Sequence, residues 1–184
     1  MARWTVREIL ADMLPVLVVL TLVELGSGLV LDTLQETLLQ YPSLLVLVPV
    51  TIGMAGNLGA IMASRLSTAT HLGLLSFEPT DETLAGNAIA TVALAATLFP
   101  VVGASAWAVQ SVVGQTALPV ATVVFVATLC GGILAVLSVV VSVAATYVAF
   151  RVGADPDDVV LPVVTNTCDV LGVLVLFAVV RLFV

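Results

Sequence analysis

Lysine is absent from this chain, histidine occurs once, at His71, and charged residues make up only 9% of its 184 positions. A soluble domain carries about 25% charged residues, so the deficit excludes an ordinary water-solvated surface. Cysteine is nearly absent too. Cys130 and Cys168 both lie inside apolar runs, where they read as small apolar filler rather than a disulfide framework. No Cys/His constellation exists to recruit zinc or copper. The five basic residues are all Arg and stand against twelve acids; a net charge of −7 argues against a nucleic-acid partner. A nucleophile–base pair, a metal-hydrolase motif and a phosphate-binding loop are all missing, which argues against an enzyme. The first apolar run also lacks a small-residue cleavage site, so no cleavable signal peptide is expected.

What is present is hydrophobic, at 61% of residues, with a mean hydropathy of +1.25. That composition predicts an all-α integral membrane protein. Apolar runs and breakers place five spans at 11–31, 44–63, 84–108, 121–150 and 159–184. Pro100 should kink the third span, and Asp155-Pro156 marks the turn before the fifth. The connections are short, so the whole chain, 1–184, is read as a single membrane domain with no soluble regulatory domain. With the N-terminus inside, Arg3, Arg7, Arg65 and Arg151 are cytoplasmic and only Arg181 is outside. The positive-inside rule therefore predicts N-in and C-out, as a multi-pass protein of the plasma membrane. Trp107 and Tyr41 fit interfacial anchoring, and His71 is placed in the inner loop with a surface role.

Against this background, the ionisable residues inside spans stand out. Asp169 shares the fifth span with a single other charge, Arg181. Twenty-six helical residues cover about 39 Å, which puts Asp169 about 15 Å in, near the bilayer midplane. A carboxylate there costs roughly 2.5–3.5 kcal/mol on insertion scales, and such a residue is by default a functional-site hypothesis. Thr165, Asn166 and Asp169 fall at i, i+1 and i+4 and so share a helix face, with Pro162 and Gly172 on much the same side. Pro162 removes a backbone donor and should free a carbonyl oxygen near the entrance. One carboxylate, one amide, hydroxyls and a carbonyl form an oxygen-rich strip, the ligand type that Mg²⁺ and Ca²⁺ select.

In the second span, Gly53, Gly56, Gly59, Ala60, Ala63 and Ser64 suggest a small-residue face carrying Asn57. Pro49 and the glycines suggest a kink or break there, tolerated against protein or a water-filled cavity. Asn57 is read either as pore lining or as a packing hydrogen-bonder. Glu24, in the first span, is read three ways: as a second cation ligand, a proton site, or a neutral acid satisfied by Ser27 or a neighbour. Asp32 caps the outer end of that span or attracts cations there. Five helices with polar residues on two of them close a pore poorly, and pairing across a two-fold axis would remedy this.

Several runs carry a family resemblance. GLVLDTLQ (28–35), PVTIGMAGNLGAIMASRLSTATHLG (49–73) and DPDDVVLPVVTNTCD (155–169) resemble the MgtE-type divalent-cation transporters, and most nearly their solute-carrier branch. Gly86-Asn87, opening the third span, is similar as well. The resemblance implies a five-helix domain paired as a homodimer in the bilayer, with the second and fifth helices lining the ion path. It implies that Asp169 holds a partly hydrated Mg²⁺, that Thr165 faces the same ion, and that Asn57 matches the Gly-Asn of the second helix. Bacterial members of the family carry long cytosolic sensor domains. Here about ten residues precede the first span, so control is absent, was removed with another segment, or resides on a separate regulatory subunit.

The leading expectation is therefore transport of divalent cations, chiefly Mg²⁺, with Mn²⁺ or others as further substrates. The primary ligand candidates are Asp169, Thr165, Asn166 and Asn57, with Glu24, Gly56 and Asp32 secondary. Two alternatives are an antiporter exchanging Mg²⁺ for Na⁺ or H⁺ through Glu24, and a non-transporting scaffold subunit.

Overall fold

Helix is the only regular structure among the described residues of the computed structural model, which are 6–78, 80–114, 116–153 and 156–184. Arg3 and Asp155, and the side chains of Glu8, Asp12, Asp157 and Asp158, lie outside the described residues. In chain order the elements are α1 (Val6–Asp32), α2 (Gln35–Gln40), α3 (Pro42–His71), α4 (Glu82–Val113), α5 (Val120–Val152) and α6 (Pro156–Phe183). Every helix but the short α2 is long and apolar enough to cross a membrane, giving five candidate spans. Hydrocarbon offers no partner for a bare N–H or C=O, so an apolar chain in lipid must satisfy its backbone within each segment.

The spans coincide with the expected ones but run longer. The connection expected at 64–83 is half helical, and His71 ends α3 rather than standing in a loop. α2 in the first connection was not anticipated; six residues with no side-chain cap leave little periodic signal. Of the kink or break expected near Pro49, the break does not occur, since α3 is helical throughout, as α4 is across Pro100 and α6 across Pro162. Packing against neighbouring helices lets the helical ladder continue past one missing donor in each.

Turn chemistry sets the ends. Asp81 caps α4: its Oδ1 accepts from the Leu84 N–H at 3.0 Å, and its Oδ2 from the Ser76 N–H at 2.7 Å and the Ser76 hydroxyl at 3.0 Å. The Leu84 and then the Ser76 backbone donors hold its carboxyl below the usual carboxylate range. Gly114 and Gly153 close α4 and α5 in the left-handed region, at φ 77° and 71°. The 72–81 connection is pinned to the end of α5 by Phe77, whose ring meets Tyr147 edge-on at 5.4 Å. Trp107 donates to the Leu118 carbonyl at 3.1 Å, tying α4 to the following connection rather than serving only as an interfacial anchor.

Packing is unequal. α3, α5 and α6 form a mutually contacting trio, α4 lies on α5 and α3, and α1 touches chiefly α6. Small residues permit the close approaches, because lipid offers no hydrophobic drive between helices and contact must be won by packing. At Gly103 a Cβ would stand 2.8 Å from the Val124 Cα, so α4 and α5 meet backbone to backbone. One turn lower, a Cβ on Gly131 would fall inside the Phe99 ring, itself fully buried. Gly131→Ala should therefore destabilise the protein by about 1–3 kcal/mol. Melting in detergent checks this, with Gly131→Ala/Phe99→Leu recovering part of the loss.

Candidate ion site

Among the described residues the α3–α6 crossing is, with α4–α5, one of the two most extensive helix pairings, and three glycines create it. A Cβ on Gly172 of α6 would sit 3.1 Å from the Ile52 Cα, and one on Gly59 of α3 would sit 2.7 Å from Cys168 Sγ and 2.8 Å from Val164 Cγ1. Gly56, between them, meets the carboxylate directly. Any Cβ there would collide with Asp169 Oδ1 and come within 3.3 Å of Thr165 Cγ2. Asp169 and Thr165 of α6 thus both lie on the bare backbone of Gly56.

One oxygen of the Asp169 carboxylate is unsatisfied in this position. Its Oδ1 is buried with no hydrogen-bond partner; the Gly56 backbone acts on the carboxyl, but no donor meets Oδ1 with hydrogen-bond geometry. Among the described residues, Ser43 Oγ, Thr51 Oγ1, Asn87 Oδ1 and Gln110 Oε1 are similarly orphaned, yet each of those groups is neutral. A buried anionic oxygen lacking a donor is far more costly, so it calls for a cation, a proton or a water held in front of it. Thr165 and Asn166 are half-buried on the same helix face. The Thr165 hydroxyl donates to the Leu161 carbonyl at 2.9 Å, and the Asn166 amide to the Pro162 carbonyl at 2.8 Å. One donor of each is used within α6, which leaves the hydroxyl lone pairs, the amide oxygen and a second amide N–H. The Leu161 carbonyl, one of those expected to be disturbed by Pro162, accepts the Thr165 hydroxyl.

Other candidates fall elsewhere. Asn57 does not share a face with Gly56 and Gly59: those two are buried against α6, whereas Asn57 is exposed. Adjacent helical residues point about 100° apart, which separates them. Asn57 belongs instead to an exposed line formed by Val50, Gly53, Asn57, Ile61, Ser64 and Thr68. Glu24, half-buried on α1, is the charged neighbour that acts on the Asp169 carboxyl. Ser27 does not neutralise it, because that hydroxyl donates to the Glu24 backbone carbonyl at 2.7 Å rather than to its carboxyl. Asp32 is exposed at the end of α1, about 12 Å further along that helix than Glu24. It borders a shallow cleft of about 410 Å³ with Gln35 and Leu38, apart from the Asp169 cluster. Among the described residues no three His, Cys, Asp or Glu side chains converge as metal ligands.

Two residues that the sequence reading passed over complete the neighbourhood. Ser138 and Ser142 of α5, both fully buried, donate to the Ala55 and Gly59 carbonyls of α3 at 3.4 Å and 3.2 Å. Their signal was legible as Ser138, Ser142 and Thr146 at i, i+4 and i+8 in an otherwise apolar helix.

An oxygen-rich patch thus lies at the crossing of two span-length helices. The family model for MgtE, divalent cation transporter, matches residues 48–179, well over half of the chain. The chain belongs to the MgtE family. Divalent cation transport across a membrane is what that membership implies, and a non-transporting scaffold is left without support. In this MgtE-family protein, Gly56→Ala should cut divalent-cation flux roughly tenfold or more by driving Asp169 off α3. Gly132→Ala, whose Cβ meets nothing within 4 Å, should leave flux at the wild-type level. Flux into proteoliposomes checks both.

Proposed function

We propose that this protein carries Mg²⁺ along a path at the axis between two copies of the chain, lined by α3 and α6, with Asp169 as the ion-site carboxylate. The observation that carries this reading is the unpartnered Asp169 oxygen on the Gly56 backbone, at the crossing of two candidate spans. A second copy is favoured by the exposed line on α3, which would otherwise offer Asn57, Ser64 and Thr68 to lipid. Pairing through that line brings a second Asp169 toward the first, and two carboxylates match one divalent charge. Without an ion they repel and favour a shared proton; an ion removes the conflict. Thr165, Asn166 and Asn57 then supply neutral oxygens to the ion or to its waters, as Mg²⁺ keeps several of its waters. With the N-terminus inside, as the arginine distribution favours, inward flux is driven by roughly 2.3 kcal/mol per charge per 100 mV.

A coupled exchanger is the second reading, favoured by Glu24 acting on the Asp169 carboxyl from α1. Imposing a voltage on proteoliposomes with and without a Na⁺ or H⁺ gradient separates the two, because a channel needs no counter-ion. For either, Asp169→Ala is expected to abolish Mg²⁺ uptake in a Mg²⁺-auxotrophic host while the protein remains in the membrane. Uptake at the wild-type level in that variant would sink the assignment.

A further inference from the structure

α5 sits behind the α3–α6 crossing, and none of its residues is among the ion-path candidates. It nevertheless carries a line of fully buried hydroxyls, Ser138, Ser142 and Thr146, in a helix that is otherwise almost wholly apolar. Thr146 turns back on its own helix and donates to the Ser142 carbonyl at 2.7 Å. Ser138 and Ser142 point across, and their four-residue spacing matches the four-residue spacing of the carbonyls they reach, Ala55 and Gly59. Ser138 also accepts from Cys168 Sγ at 3.5 Å. A relay therefore runs from the Cys168 thiol to the Ser138 hydroxyl to the Ala55 carbonyl.

Both ends of this relay abut the ion-site contact. Cys168 immediately precedes Asp169, and Ala55 immediately precedes Gly56. Cys168 Sγ also fills the space above Gly59, whose carbonyl Ser142 holds. One hydroxyl thus links the Cys168 side chain of α6 to the Ala55 backbone of α3, next to the point where Asp169 Oδ1 rests on Gly56. Packing alone specifies the α3–α6 register weakly, because small residues on both helices allow sliding, whereas hydrogen bonds between helices are directional.

We propose that Ser138, assisted by Ser142, is a positioning residue for ion selection: it sets the α3–α6 register and so the spacing between the Gly56 backbone and the Asp169 carboxylate. This rests on the reading of Asp169 as the ion-site carboxylate. The bonds are long, so their loss should leave the bundle assembled while loosening the site. A looser site discriminates less between Mg²⁺ and the larger, less strictly coordinated Ca²⁺.

The test is concentration-dependent Mg²⁺ and Ca²⁺ flux into proteoliposomes holding the full chain, for wild type, Ser138→Ala, Asp169→Ala and Thr128→Val. Thr128 is a control hydroxyl on the same helix that bonds only the Val124 carbonyl, at 2.7 Å. Ser138→Ala is expected to raise the half-saturating Mg²⁺ concentration by about threefold to tenfold, the scale of one or two interhelical bonds. The Mg²⁺-over-Ca²⁺ preference should fall with it while maximal Mg²⁺ flux stays near wild type, and Thr128→Val should shift none of these. Where Ser138→Ala does not assemble, Ser138→Cys keeps a weak donor in nearly the same volume and should shift the same quantities less. If Asp169→Ala is silent but the assembled Ser138 variant keeps wild-type half-saturation and preference, the positioning role is overturned. Wild-type flux in Asp169→Ala would instead overturn the reading beneath it.

Discussion

A carboxylate laid on the bare backbone of a glycine is the contact on which the rest of this molecule turns. Asp169 can occupy its position because Gly56 has no side chain, and the flanking Gly59 and Gly172 let α3 and α6 close around that point. The carboxylate oxygen so placed has no donor, which in a hydrocarbon surrounding is a large cost. Proteins keep such costs where the missing partner is a ligand. The proposed partner is the divalent cation that the family moves, which has the right sign and hardness.

The remaining helices can be understood by their distance from that contact. α5 backs the crossing and reaches α3 with buried hydroxyls, and α4 closes on α5 through Gly103 and Gly131. α1 packs chiefly on α6 and brings Glu24 within electrostatic reach of Asp169. An outlying helix with one acid at the depth of the site is the natural place for any coupling between the ion and a second charge. The exposed line on α3 completes the picture from the other side. Asn57, Ser64 and Thr68 make poor sense against lipid and good sense against water or a second copy.

Much of this was legible in the residues. Runs of apolar side chains marked all five spans, because backbone satisfaction in lipid leaves helix as the only local solution and composition alone reveals it. Asp169 announced itself by being a charge in the wrong solvent, and Thr165 and Asn166 followed from helical spacing. Face assignments on α3 were less legible. A small-residue cluster spread over Gly53, Gly56, Asn57 and Gly59 cannot say which members touch a neighbour, since glycine is compatible with either side; the structure places Gly56 and Gly59 inward and Gly53 and Asn57 outward. Of the kink or break expected at Pro49, the break is absent, as one lost donor is a small cost to a helix packed against its neighbours. Ser138 and Ser142 went unread because a hydroxyl in a membrane helix most often bonds its own preceding turn, and only the packing of α5 on α3 shows that these two reach across.

The central claim is that two Asp169 carboxylates face each other across a two-fold axis and hold one divalent ion between them. A structure of the protein in lipid nanodiscs with Mg²⁺ addresses it most directly. The account predicts paired chains with ion density between the two Asp169 side chains, at about 2.0–2.1 Å if the ion is bound directly and further if it is held through water. Paired chains with Asp169 turned to lipid, or ion density bounded by other residues, would contradict it.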